Sequence, residues 1–364
     1  MRYLSKFYKL RKNLFIAFIL LSTFLEAQTV RKYSNEFMNI GVDAAAFGMS
    51  NAVVASSKDV NSGYWNPAGL VNLEDKQISL MHASYFANIA NYDYAAFAMP
   101  LDDRSAVGLS VIRFGVDDIL NTTRLIDEQG NIDYNRISLF STADYGITFS
   151  YARRLPLDGF NYGVNAKVIR RVIGDFASSW GFGLDAGVQF RNDKWMFGLM
   201  ARDITTTFNA WSIDEDKFAE IKGAVEGQNQ DLPETTEITI PKLQLGAARK
   251  FVYRHDFTLM AEVDLNFRFA ETQDVISTSF ASITPSLGLE FGYIEMVYVR
   301  AGVGNFQNTV QLDGNESIGF QPNIGVGFKY RGIHVDYALT DIGDQSVALY
   351  SNVFSLKLDW EIFR

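Results

Sequence analysis

The chain has no cysteine in its 364 residues, which excludes disulfides, thiolate metal sites and a lipid-modified N-terminal cysteine. Histidine is almost as scarce. The three present, His82, His255 and His334, are scattered and lack metal-ligand spacing, so neither a metal nor another cofactor is expected. Basic residues are in deficit, 33 against 42 acidic. Removing Met1 to Ala27 takes away five basic residues and one acidic residue, leaving 28 against 41, a net of −13. Such a balance argues against a nucleic-acid partner, whose phosphates require a basic surface. Long apolar runs are absent too. The run from Leu14 to Leu25 follows Arg2, Lys6, Lys9, Arg11 and Lys12 and is too short to cross a bilayer as a helix. With Ala27 at its end it reads as a signal peptide, with a mature start near Gln28.

What the chain has instead is alternation. From Phe257 to Phe269, the side chains Phe257, Leu259, Ala261, Val263, Leu265, Phe267 and Phe269 fall on one side of an extended strand. Thr258, Met260, Glu262, Asp264, Asn266 and Arg268 fall on the other. Trp180 to Arg191, Ile283 to Tyr293, Ile318 to Tyr330 and Phe354 to Ile362 repeat the pattern. Read this way, residues 77 to 363 divide into about fourteen strands. Tight connections at Leu101–Asp103, Pro156–Gly159, Asn192–Asp193, Tyr253–His255, Ile294–Glu295 and Arg331–Gly332 alternate with long ones, including Asp117–Ser141 and Thr206–Thr239. Short periplasmic turns alternating with long extracellular loops are a property of outer-membrane barrels, and an even count returns both ends to the periplasm.

A secreted β-sandwich also alternates, with its oily side turned inward. Against it stand aromatics gathered at strand ends (Tyr85, Phe86, Trp195, Phe269, Tyr293, Tyr330, Trp360), strands of bilayer-crossing length, and a last strand, Asn352 to Phe363, that ends on an aromatic just before Arg364. The expected fold class is therefore all-β, a transmembrane antiparallel β-barrel over residues 76–364. It follows a signal peptide (1–27) and a hatch or plug segment (28–75). That segment is rich in small residues, among them Gly41, Ala44, Ala45, Ala46, Gly48 and Ala52. Trp65-Asn66-Pro67 should form a rigid corner, because proline fixes its own φ and restricts the residue before it.

The pair "NIGVDAAAFGMSNAVVASSKDV" and "GYWNPAGL" resembles the N-terminal signature of the PorV/PorQ family, itself similar to the FadL superfamily of fatty-acid transporters. Gly48, Met49, Trp65, Asn66, Pro67, Ala68 and Gly69 carry the resemblance; Asn66, Pro67 and Ala68 resemble the superfamily's hatch motif. The chain departs from relatives at Ala45, where arginine is frequent, and at Ser50, where glycine is. The resemblance implies a non-enzymatic outer-membrane subunit of the type IX secretion system in a Gram-negative bacterium. Its partners would be translocon components or the C-terminal domains of secreted cargo, with outer-membrane lipid around the wall. The broader resemblance implies an alternative, a transporter of fatty acids or other hydrophobic molecules; a third role is accessory subunit of another envelope complex.

Gly-x-Ser-x-Gly elbows and phosphate-binding glycine loops are absent, so catalysis is not expected. Serine and histidine on neighbouring strands of a barrel can nonetheless meet without any local motif. Lumen-side charges (Asp185, Arg191, Glu262, Asp264, Arg268, Glu290, Arg300, Lys329, Asp336, Lys357, Asp359) are expected to be paired or hydrated. In the Thr206–Thr239 loop, Ile213, Phe218, Ile221 and Val225 approach helical spacing behind Asp214, Glu215 and Asp216. A lid or a docking surface is the expectation there, with Trp211, Phe218 and Ile221 as its apolar contacts.

Overall fold

The computed structural model describes residues 34–85, 89–126, 130–217, 235–310, 316–340 and 351–360. The expected signal peptide lies outside them. Strand segments run β1 (Gln77–Tyr85), β2 (Ala90–Asp102), β3 (Ser105–Asn121), β4 (Ser138–Arg154), β5 (Phe160–Ile173), β6 (Ala177–Arg191), β7 (Trp195–Arg202), β8 (Thr207–Ile213) and β9 (Thr236–Thr239). They continue as β10 (Lys242–Tyr253), β11 (Phe257–Arg268), β12 (Ile276–Ser277), β13 (Ser282–Tyr293), β14 (Val297–Val310), β15 (Glu316–Tyr330), β16 (Ile333–Thr340) and β17 (Ser351–Asp359). Both β7 and β8 pair with β6, while β9 pairs with β8 and β10 with β7. Each couple is therefore one interrupted wall strand. With β12 a stub on β13, the wall is a closed barrel of 14 antiparallel strands. Closure comes from β1 pairing with β17, Gln77 opposite Asp359 and Ser84 opposite Asn352.

The faces are as the alternation requires. On β6, Trp180, Phe182 and Leu184 are 51%, 63% and 47% exposed, whereas Asp185 between them and the barrel axis is buried. Apolar surface of this extent, continued by Phe208, Phe291, Val299, Phe320, Val326 and Phe354, is stable only in a hydrocarbon solvent. A sandwich would have buried it. Leu265, outward on β11, tests the assignment: Leu265→Arg places a cation on the lipid face and should cost about 2 to 4 kcal/mol of folding stability. Asp264→Asn, on the inner face, should cost less. The comparison is the folded fraction by heat-modifiable gel mobility in detergent.

Among the expected boundaries that move, two shape the extracellular rim. β3 and β4 stay paired beyond Val116, through Ile119 opposite Phe140 to Asn121 opposite Ser138, so the hairpin projects farther than its alternation indicated. The Thr206–Thr239 loop begins and ends as wall: Phe208 points outward at 57% exposure while Thr207 and Asn209 are buried inside. Trp211 therefore belongs to β8 and not to a loop. Its ring lies against the Arg171 guanidinium at 5.2 Å, a contact that draws it to the wall. After Ile213 the chain turns helical over Glu215 to Lys217, where the Lys217 N–H donates to Asp214 Oδ1 at 3.1 Å. Phe218, Ile221 and Val225 lie outside the described residues, as do Phe86 and the last three residues of the expected final strand.

Candidate functional site in the lumen

Ser34 to Asp75 runs through the inside of the barrel, in short turns that its own polar residues set. Asp43, at φ 76°, accepts from the Ala45 N–H at 3.3 Å and caps the helical turn Ala44–Gly48. A second turn, Ser62–Trp65, ends at Asn66, which is extended because proline follows. Pro67 then opens the 3₁₀ turn Pro67–Asn72, with Asn66 Oδ1 accepting from the Ala68 N–H at 3.3 Å. The other end of that side chain reaches the wall. Asn66 Nδ2 donates to the carbonyls of Val54 (3.2 Å), Val188 on β6 (3.2 Å) and Leu199 on β7 (3.4 Å). Trp65 Nε1 donates to the Val42 carbonyl at 3.0 Å, binding the segment's two halves together.

The wall accommodates these residues because glycines face them. A Cβ on Gly163 would lie 2.4 Å from the Pro67 carbonyl carbon and 2.5 Å from the Ala68 nitrogen. One on Gly302 would lie 2.4 Å from the Met49 carbonyl carbon. Gly48 stacks on Gly325 in the same manner, and a Cβ on Gly69 would meet the Ser57 carbonyl oxygen at 2.4 Å. The seven motif residues thus occupy two contact zones, Gly48-Met49 on β13 to β15 and Trp65 to Gly69 on β4 to β7.

Charged side chains of the wall tie the segment in a way the sequence did not reveal. Asp264 Oδ2 accepts from the N–H groups of Val53 and Val54 at 2.9 and 3.0 Å. Glu262 Oε1 accepts from Ala55 and Ser56 at 2.7 and 3.3 Å. Two adjacent inward carboxylates therefore bind four consecutive backbone donors. Arg191 Nη2 covers the other side of the same stretch, donating to the carbonyls of Ala55, Ser56 and Ser57. Lys357 Nζ bridges Asp43 Oδ2 (2.9 Å) and Asp59 Oδ2 (2.5 Å), and Arg300 bridges Glu290 and Asp336 at 2.6 and 2.7 Å. Burial alone would raise the Asp43 pKa; the Lys357 ammonium reverses this and holds the carboxyl below its ordinary range. A signal was present in Glu262 and Asp264, acids two residues apart on an inner face where neighbouring strands carry glycine and serine.

On the extracellular side of the segment lies a cavity of about 330 Å³. Arg202, Lys242 and Arg268 stand across it on three adjacent strands at one register level. Arg202 donates to the Tyr64 carbonyl at 2.9 Å and to Gln244 Oε1 at 2.7 Å, and Lys242 approaches Glu36 at 3.4 Å. At the interruption between β7 and β8, Asp203 is held by Lys167 Nζ at 2.5 Å, and its N–H donates to Asp185 Oδ1 at 2.8 Å. Of the other histidines, His255 sits in the β10–β11 turn and His334 faces inward beside Asp359 Oδ2 at 3.3 Å.

Comparison with known proteins agrees with this architecture. The sequence profile described as "Type IX secretion system protein PorV" matches residues 25–274. The chain belongs to the PorV family. Among solved structures it is similar to the Pseudomonas putida toluene transporter TodX, with TM-score 0.53 and 11% identity over 90% of this chain and 97% of that one. The CymD monoaromatic hydrocarbon channel gives TM-score 0.52 and 12% identity over 88% and 98%. At these identities the likeness is one of fold alone. No curated protein matches the sequence. Membership of the PorV family and the lipid-facing wall make this an outer-membrane protein.

Proposed function

We propose that this chain is a PorV-like subunit of the type IX secretion system that binds secreted cargo or translocon components through its extracellular hairpins. Residues 28–75 act as a hatch that closes the lumen, residues 76–364 form the barrel, and residues 1–27 are the export signal. The role requires binding and no bond breaking. One observation supports it above the rest: the lumen holds a segment fastened by wall carboxylates, lysine and arginine, so the extracellular rim is the surface left for partners. The rim offers the extended β3–β4 hairpin and the β8–β9 hairpin, with Trp211 at the base of the latter.

Affinity purification of the tagged chain from native outer membranes, followed by mass spectrometry, should recover translocon or cargo. Replacing Trp211, Phe218 and Ile221 together by alanine should lower that recovery several-fold with the barrel still folded. A deletion strain with an unchanged surface proteome and no envelope partner would overturn the reading. Fold likeness to hydrocarbon channels supports a second reading, transport of hydrophobic molecules. Against it, the cavity above the hatch is edged by Arg202, Lys242 and Arg268, chemistry suited to anions and poor for an apolar solute. Uptake of a labelled hydrocarbon that fell in the deletion strain would favour it.

A further inference from the structure

The outer wall carries a second constellation, remote from the lumen. His82 and Ser84 are two residues apart on β1 and so share one face, the face that also carries Leu80 toward lipid. His82 lies opposite Asp93 of β2, and His82 Nδ1 is 2.7 Å from Asp93 Oδ1. Ser84 Oγ is 3.3 Å from His82 Nε2. His82, an isolated residue in the sequence, is therefore the centre of a Ser–His–Asp relay. The His82 and Asp93 side chains are 55% and 43% exposed, so the relay opens outward.

We propose that Ser84, His82 and Asp93 form an esterase site that hydrolyses ester-linked acyl chains of lipids in the outer leaflet. Three further features fit that chemistry. First, Leu80, Ala95, Val111, Val335, Phe354 and Leu356 line an open, mostly apolar hollow of about 660 Å³ on the membrane side of the relay, a berth for an acyl chain. Second, polar outward residues begin on β1 at His82 and Ser84, above Ile78 and Leu80, which sets the relay at the upper edge of the apolar band. Lipid ester carbonyls sit at that boundary between hydrocarbon and headgroup. Third, Ser84 is flanked in register by Asn91 on β2 and Asn352 on β17. Tyr337 Oη donates to Asn352 Oδ1 at 2.6 Å, which orients the amide so that its NH₂ is the group left to donate. Side-chain amides on both sides of a nucleophile are suitable donors to a developing oxyanion.

With Nδ1–H donating to Asp93, His82 presents Nε2 as acceptor to the serine hydroxyl. Ser84 Oγ attacks the ester carbonyl carbon as its proton passes to His82 Nε2. The C–O bond to the lipid alcohol then breaks, and the departing oxygen takes that proton. Water from the extracellular side attacks the acyl-serine, giving its proton to His82, and the fatty acid leaves as Ser84 Oγ is reprotonated. Asp93 acts through His82 and is a positioning residue. Its other oxygen is 3.6 Å from Arg113 Nη1, and Arg113 Nη2 is 3.0 Å from Asp117 Oδ2, so the guanidinium is shared between Asp117 and the carboxylate that orients His82.

The test uses the full mature chain, folded in detergent and reconstituted into vesicles of phosphatidylethanolamine and phosphatidylglycerol, with free fatty acid as the readout. A parallel set contains lipopolysaccharide as the acyl ester source. Ser84→Ala and His82→Asn should each lower release at least about 100-fold. Asp93→Asn should lower kcat with KM unchanged, because it favours the wrong tautomer without touching the lipid. A fluorophosphonate probe should modify Ser84 in the wild-type chain and not in His82→Asn. All three positions face outward, and heat-modifiable mobility checks that each variant folds. Release from only one lipid set would support the proposal and identify the substrate headgroup. Equal release by wild type and Ser84→Ala from both sets would overturn it.

Discussion

Lys357→Met is expected to destabilise the folded barrel by about 3 to 5 kcal/mol, the penalty of leaving a buried charge without its partner. Methionine keeps most of the side-chain volume, so the loss isolates the charge. In the native chain Lys357 and Asp43 are 8% and 6% exposed, and the ammonium bridges Asp43 and Asp59. After substitution Asp43 retains the Asn61 amide at 2.8 Å and the Ala45 N–H, both of them neutral donors. The pH dependence follows with a definite sign. In the native chain the Asp43 pKa is lowered, so its contribution is complete above the ordinary carboxylate range and is lost only as pH falls through the lowered value. In the variant, burial opposed only by the weaker pull of Arg300 raises that pKa, so the penalty is greatest at neutral pH and shrinks in acid as Asp43 takes up a proton. Denaturant unfolding in detergent at two pH values measures both effects. Adding Asp43→Asn to Lys357→Met should recover part of the loss at neutral pH; an equal deficit in single and double variants would contradict the bridge.

A second large effect is expected from a glycine on the inner face. Gly163→Leu inserts a side chain where even a Cβ would meet Pro67 and Ala68 at 2.4 and 2.5 Å, so either the Asn66-Pro67 corner moves or β5 does. Overpacking of this kind costs about 1 to 3 kcal/mol. It competes with the hydrogen bonds from Asn66 to β6 and β7, and the corner, held by fewer bonds than the wall, should yield. Planar-bilayer recordings should then show a closed wild-type barrel and a conducting variant. Ala166→Leu, on the same strand but facing lipid, should remain closed. A Gly163→Leu barrel as tight and as stable as wild type would mean that the corner is not seated on β5.

These two variants mark a division between local and distant information. Leu265 and Asp264 face opposite ways because strand geometry turns successive side chains to opposite sides, and that is readable from neighbours alone. The turns at Asn192–Asp193 and Arg331–Gly332 were readable for the same reason. The β8 segment was not, because its short alternation, Thr207, Phe208, Asn209, adjoins residues of helical spacing that drew Trp211 into a loop. Nor were the ties of Glu262 and Asp264 to the inner segment, since their partners are backbone N–H groups more than two hundred residues away.

By itself, then, the sequence determined an exported chain with an oily-out, polar-in wall of fourteen strands and a small-residue segment ahead of it; period-two alternation and turn chemistry are local properties. Only the tertiary structure decided which inner charge holds which part of the inner segment, and that His82 meets Ser84 and Asp93 on the outer face. Lys357 and Asp43 stand 314 positions apart and meet only because the barrel closes β17 onto β1 around the segment. Strand register and ring closure create such contacts, and neither is encoded in any short stretch of chain.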